Sequence, residues 1–185
     1  MTKEKALSLA KEQGFSHTGT FSVERMQFRT EVRDMCKANT CGNYGRCWTC
    51  PPALPELEEI RERAKQYDWG LLIQTTAQME DAFDAEAMVE AMEGQKVRFR
   101  GLCDILREQK EDCLPMSSGG CGLCDTCTCP DAPCRFPEKA VPSMEAYGLL
   151  VTDVCNLTEN CKYYYGENTI TFTSCILFAE QEDSR

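Results

Sequence analysis

Apolar residues recur along the chain with two periods, and the longer one predicts helices. Ala6 is followed three and four residues later by Leu9 and Ala10, as on the buried face of a helix. The same spacing returns after Pro55, a residue that suits the first turn of a helix. This spacing predicts helices over residues 2–13, 22–35, 55–67, 84–113 with an interruption at Gly94, 143–147 and 152–159.

Short apolar runs and strict alternation predict strands. The segment HTGTF, residues 17–21, is one candidate, and the apolar run WGLLIQTT, residues 69–76, is a second. In TITFTSCILF, residues 169–178, alternation places four apolar side chains on one face: Ile170, Phe172, Ile176 and Phe178. A chain of 185 residues can bury one substantial core. We therefore predict a single domain over residues 1–185, with an α/β fold of the α+β kind: a small mixed or antiparallel sheet flanked by helices.

Cysteine is the residue that changes this ordinary picture. The chain has 14 cysteines and one histidine, His17, so a metal site would be held mainly by thiolates. Most of the thiols crowd into two loops, residues 36–52 and 117–139, which contain few apolar residues to bury. The others lie in helix- or strand-like segments, where we expect them to pack as small apolar side chains: Cys103, Cys113, Cys155, Cys161 and Cys175.

The rest of the composition limits where the protein works and what it meets. The polar first segment lacks the apolar stretch of a signal peptide, and no apolar run is long enough for a membrane span. We therefore expect a cytoplasmic protein with no membrane partner, in a compartment where structural disulfides are rare. A net charge of −10 without a basic patch argues against nucleic acid binding. An acidic surface suits an electron carrier that meets a basic partner, and it equally suits a merely solvated surface.

The second loop has the spacing of an iron–sulfur site. Cys121, Cys124 and Cys127 form C-x2-C-x2-C, with glycines that let the backbone approach inorganic sulfide. Zinc more often takes two separated C-x2-C pairs, and it stays the alternative. Cys129 follows Cys127 too closely to complete the same cluster easily, so Cys134 is the better fourth ligand and Cys129 the spare thiol. The spacing predicts a [4Fe–4S] cluster.

Two long motifs resemble a known family. The segments GGCGLCDTCTCPDAPCRFPEKAVPSMEAYG and CKANTCGNYGRCWTCPP are similar to the motifs of uncharacterised cysteine-rich proteins of anaerobic bacteria and archaea, described as predicted metal-binding. The resemblance runs from about residue 33 to residue 178 and implies a fold and a metal more than a reaction. It implies seven ligand positions: Cys36, Cys41, Cys50, Cys121, Cys124, Cys127 and Cys134.

The first loop allows more than one interpretation. Cys36, Cys41 and Cys50 could hold a second cluster in which one iron lacks a cysteine, or could complete a shared site. Cys47, which lies outside the family pattern, could fill the fourth position. The pair Cys47-Trp-Thr-Cys50 is also compatible with thiol–disulfide chemistry.

Three functions follow from these alternatives. The first is an electron-transfer protein with one or two [4Fe–4S] clusters and a redox partner protein. The second is a small enzyme that uses an open iron at Cys36, Cys41 and Cys50, and the sequence alone does not decide whether the protein is an enzyme. The third is a zinc-stabilised binding module. A homo-oligomer is compatible with each of them.

Overall fold

Four antiparallel strands form the centre of the molecule, in a computed structural model that describes residues 1–180. The strands are β1 (His17–Ser22), β2 (Trp69–Gln78), β3 (Cys113–Met116) and β4 (Thr169–Phe178). Their order in the sheet is β1-β2-β4-β3, and every neighbouring pair is antiparallel. The two long strands β2 and β4 are therefore central, in agreement with the apolar runs that predicted them.

Within the described residues 1–180, five α-helices and two 3₁₀ turns surround this sheet. The helices are α1 (Lys3–Glu12), α2 (Thr30–Lys37), α3 (Leu57–Ala64), α4 (Ala85–Glu108) and α5 (Val151–Cys155). The 3₁₀ turns are Val23–Arg25 and Glu145–Tyr147. The mixed α+β fold with an antiparallel sheet is confirmed. None of the helices in residues 1–180 combines the length and apolar character that a membrane crossing needs.

Each face of the sheet has its own core, because successive side chains of a strand point to opposite faces. On one face, Trp69, Leu71 and Ile73 of β2 pack against α1 and α4. On the other face, Leu72 of β2 packs in a second cluster with Leu177 of β4 and the segment around the turn Glu145–Tyr147. Residues that flank the cysteine loops take part in this second core: Met116 and Met144 belong to it, and Leu54 packs against it.

One glycine marks a close contact inside the sheet. Gly70 of β2 pairs with Phe21 of β1, and the Phe21 ring lies over it. A Cβ atom at Gly70 would lie 2.2 Å from Cζ of Phe21, far inside van der Waals contact. The aromatic ring thus occupies the space that a side chain at this position would need.

Three details differ from the sequence prediction. Residues 22–35 do not form one helix: the 3₁₀ turn Val23–Arg25 is followed by an extended segment, since Phe28 pairs with Leu149 across a β-bridge. α4 runs through Gly94 without interruption, and the next residue, Gln95, is held by hydrogen bonds to Thr75 and Ser174. The predicted helix over 84–113 also ends early, because Cys113–Met116 is an edge strand.

Candidate metal centre

The two cysteine loops are in direct contact. The indole N–H of Trp48 donates a hydrogen bond to the carbonyl of Ala132, at 3.0 Å. The thiol of Cys129 lies 3.9 Å from the carbonyl oxygen of Gly45. Residues that are separated by 84 positions in the sequence therefore meet on one side of the molecule.

A cavity of about 440 Å³ opens between these loops. The four thiol-bearing residues that the sequence assigned to one site in the second loop all line it, and Cys47 joins them from the first loop. The cysteines of this cavity are Cys47, Cys121, Cys124, Cys127 and Cys134. Within residues 1–180, the lining of this cavity does not include Cys129. The fold thus brings Cys134 to the same cavity as Cys121, Cys124 and Cys127.

The second loop is shaped by glycines and anchored to α4. Gly119 and Gly122 have φ values of +64° and +63°, in the left-handed region that residues with a Cβ rarely adopt. The Arg100 guanidinium donates to the carbonyls of Cys121 and Gly122, at 2.9 and 3.0 Å. These bonds tie the turn that carries Cys121 to helix α4.

Basic side chains surround the cavity although the chain as a whole is acidic. Arg46, Lys96 and Arg135 line it, against a single lining carboxylate, Asp125. The Arg135 guanidinium is held by the carbonyl of Thr126, at 2.9 Å. Lys96 is paired with Glu93, at 3.1 Å, so the positive charge of the lining comes from Arg46 and Arg135, and it stabilises negative charge inside the cavity. Arg46 and Lys96 are distant from the second loop in the sequence and reach the cavity through tertiary contacts.

Cys134 connects the cavity with the molecular surface. Its sulfur accepts a hydrogen bond from the backbone N–H of Phe136, at 3.4 Å. Together with Trp48, it also lines an open groove of about 630 Å³, most of whose other residues are prolines and apolar side chains. A group held by Cys134 would therefore lie next to an accessible apolar surface.

Cys47 is a buried thiol at the boundary between the loops. The Cys50 thiol donates to its sulfur and holds the pKa of Cys47 below its ordinary value, with further hydrogen bonds from Thr49 and from the backbone N–H of Cys121. The hydrogen bond to Cys47 raises the pKa of Cys50 in turn, and burial adds to this effect. Cys47 therefore contacts both the second-loop site and Cys50.

The other two cysteines of the first loop are Cys36 and Cys41, and Cys41 affects the pKa of both Cys36 and Cys50. Cys36 is in the last turn of α2, and Cys41 is exposed in the loop that follows. Burial raises the pKa of Cys36, and the neighbouring Cys41 raises it further. Cys41 also adds to the raised pKa of Cys50. The structure thus places Cys41 near both Cys36 and Cys50.

The ligand assignment itself stays a prediction. Within residues 1–180, no three His, Cys, Asp or Glu side chains are already arranged closely enough to hold a metal ion. Sites of this kind often take their final geometry only when the metal binds. The donor chemistry fits a thiolate-ligated group, because four thiols of one glycine-turned loop surround a single cavity with basic walls. The five cysteines outside the two loops are buried or partly buried, as expected for small apolar side chains: Cys103, Cys155, Cys161 and Cys175 are buried, and Cys113 is half-buried.

Comparison with known proteins agrees with these features. The model of the family described as "Predicted metal-binding protein (DUF2284)" matches residues 20–178, which is most of the chain. Neither the curated proteins nor the solved structures contain a significant match. The matched segment includes both cysteine loops, the whole sheet apart from the start of β1, and the helices α2 to α5. The chain therefore belongs to this family of predicted metal-binding proteins.

Proposed function

We propose that the protein binds a [4Fe–4S] cluster between its two cysteine loops and passes single electrons to a partner protein. The observation that carries this proposal is that Cys121, Cys124, Cys127 and Cys134 line one cavity. A bound cluster of this type supplies reversible one-electron chemistry. Four thiols spread around a cavity suit a multinuclear group, whose ligands stand further apart than the four sulfurs around a single zinc ion.

The surrounding residues are suited to such a role. Arg46 and Arg135 would offset the negative charge of a thiolate-ligated cluster, which favours the reduced state. Cys134 would bring the cluster close to the apolar groove beside Trp48. Electron transfer falls off steeply with distance, so a partner docked at this groove would meet the cluster at its most accessible point. The acidic surface elsewhere, with a net charge of −10, suits a basic partner.

The first test is the metal content of protein purified without oxygen. We expect iron and acid-labile sulfide in nearly equal amounts, about four of each per chain for one cluster and about eight for two. Cys113→Ser should not change these contents, because Cys113 is a half-buried thiol outside both loops. Stoichiometric zinc without sulfide would overturn the proposal and support the zinc-stabilised binding module.

Cys47 requires a test of its own, since it lines the same cavity as the four proposed ligands. Four thiols of the second loop are enough for a cubane, so we expect Cys47→Ser to retain iron and sulfide. The measurement is iron, sulfide and the electron paramagnetic resonance spectrum of the reduced protein. If the variant loses iron, Cys47 is a ligand in place of one of the second-loop thiols.

A small enzyme with an open iron at the first loop is the second candidate. The specific observation in its favour is that Cys47 belongs to the cavity between the loops. Only Cys36, Cys41 and Cys50 then remain for a first-loop site, which is one thiolate fewer than a cubane needs.

A further inference from the structure

Two charged side chains close to Cys36 each bury a polar atom without a partner. They are Nη1 of Arg33 and Oε2 of Glu145, neither of which has a hydrogen-bond partner among residues 1–180. A buried group of this kind costs free energy, more so when it is charged, and native structures contain few of them. Arg33 lies on α2 and Glu145 on the turn that packs against this helix, so a ligand bound between the two elements would satisfy both atoms.

The backbone holds both groups beside the first-loop thiols. Arg33 precedes Cys36 by three residues on α2, so the two side chains lie on the same face of that helix. Its second terminal nitrogen, Nη2, donates to the carbonyl of Pro55 at 3.0 Å, which fixes the guanidinium. Glu145 begins the 3₁₀ turn Glu145–Tyr147, and this turn packs against α2.

The charges of both side chains act on the Cys36 thiol. Burial is the main reason for its raised pKa, followed by Cys41; Arg33 opposes the rise and Glu145 adds to it. Arg33 shares a helix face with Cys36, and Glu145 lies on the turn that packs against that helix, so both charges are in position to act on the thiol. Cys41 adds to the raised pKa of both Cys36 and Cys50, which connects the three first-loop thiols.

We propose that Cys36, Cys41, Cys50 and Glu145 form a second metal centre, in which the Glu145 carboxylate takes the position that no cysteine fills. Thiolate sulfur and carboxylate oxygen are both established ligands of iron and zinc. Arg33 is a positioning residue that balances the negative charge of the ligands. The side chains are not yet at ligand spacing within residues 1–180, so metal binding draws them together, with exposed Cys41 free to move. This centre does not depend on the cluster between the loops.

The first experiment measures metal binding to the metal-free full chain without oxygen. One arm uses ferrous iron with sulfide, and the other uses zinc alone. In at least one arm, we expect Glu145→Gln to lose the metal of one centre, and Cys36→Ser to lose the same metal. The arm that shows this loss identifies the metal. Glu145→Cys should restore binding with an altered spectrum. Glu138→Gln, a change at an exposed glutamate, is the matched control and should bind as the unchanged chain does.

The second experiment separates a ligand from a structural glutamate by thermal unfolding. In the metal-free chain, Glu145→Gln removes an unpaired buried charge, so the unfolding midpoint should rise. In the metal-loaded chain the same substitution removes a ligand, so the midpoint should fall. Shifts of the same sign in both states would overturn the proposal, as would unchanged metal binding in both arms. If the unchanged chain binds no cluster between the loops but Glu145→Gln still loses metal, the proposed electron carrier is disproved and the second metal centre is supported.

Discussion

Replacement of Cys134 by serine is expected to abolish the cluster between the loops, whereas Cys129→Ser should retain it. Cys134 lines the cavity with Cys121, Cys124 and Cys127, and Cys129 does not. A cubane that loses one of four thiolates is left with a weakly held iron, so we expect the loss of about four iron atoms per chain. Iron and sulfide analysis with electron paramagnetic resonance of the reduced protein provides the measurement.

Cys124→Ser supplies the positive control for this comparison, because Cys124 is the middle thiol of C-x2-C-x2-C and should show the same loss. Circular dichroism should show that all three serine variants fold. The opposite pattern, with loss at Cys129 and retention at Cys134, would reverse the assignment of the fourth ligand.

Gly70→Ala is expected to destabilise the fold by about 1–3 kcal/mol, as overpacked core substitutions do. A Cβ at Gly70 would lie 2.2 Å from Cζ and 2.6 Å from Cε1 of Phe21, whose ring is itself buried. The ring has to leave the face of β2 or the strands have to separate. Thermal unfolding of the metal-free chain measures the effect, at about 2–4 °C for each kcal/mol.

Gly94→Ala is the matched control for that substitution. Its Cβ would lie 2.6 Å from Nη1 of Arg98, which is the far end of a flexible side chain and can move aside. Alanine also favours an α-helix over glycine by about 1 kcal/mol, and α4 is continuous at this position. We expect equal or higher stability. A Gly70→Ala chain as stable as the Gly94→Ala chain would contradict the packing of Phe21 on Gly70.

The main elements of the fold could be predicted because their patterns are local. The apolar run that became β2 and the alternation that became β4 are each visible within ten residues. β3 was missed because it is only four residues long, contains Pro115, and exists through its pairing with β4. An edge strand tolerates proline because it has an unpaired side. A sequence pattern does not show which distant strand supplies that pairing.

The candidate site could also be predicted only where its signal is local in the sequence. The spacing of Cys121, Cys124 and Cys127 is a local signal, and the structure places all three on one cavity. The position of Cys47 beside this cavity depends on contacts between loops far apart in the chain. The unpartnered atoms of Arg33 and Glu145 cannot be recognised in the sequence either, because their burial depends on tertiary packing, which includes the contact of α2 with the turn Glu145–Tyr147.

The hydrogen bond from Trp48 to Ala132 has a consequence for the order in which the cavity forms. This bond joins residues 84 positions apart. Both sides of the cavity are therefore in place only after the two loops have come together in the fold. Closing so long a segment is slow compared with forming a local turn. The two loops therefore enclose the cavity only after residue 132 has been made, and a nascent or truncated chain that ends earlier would lack the completed cavity.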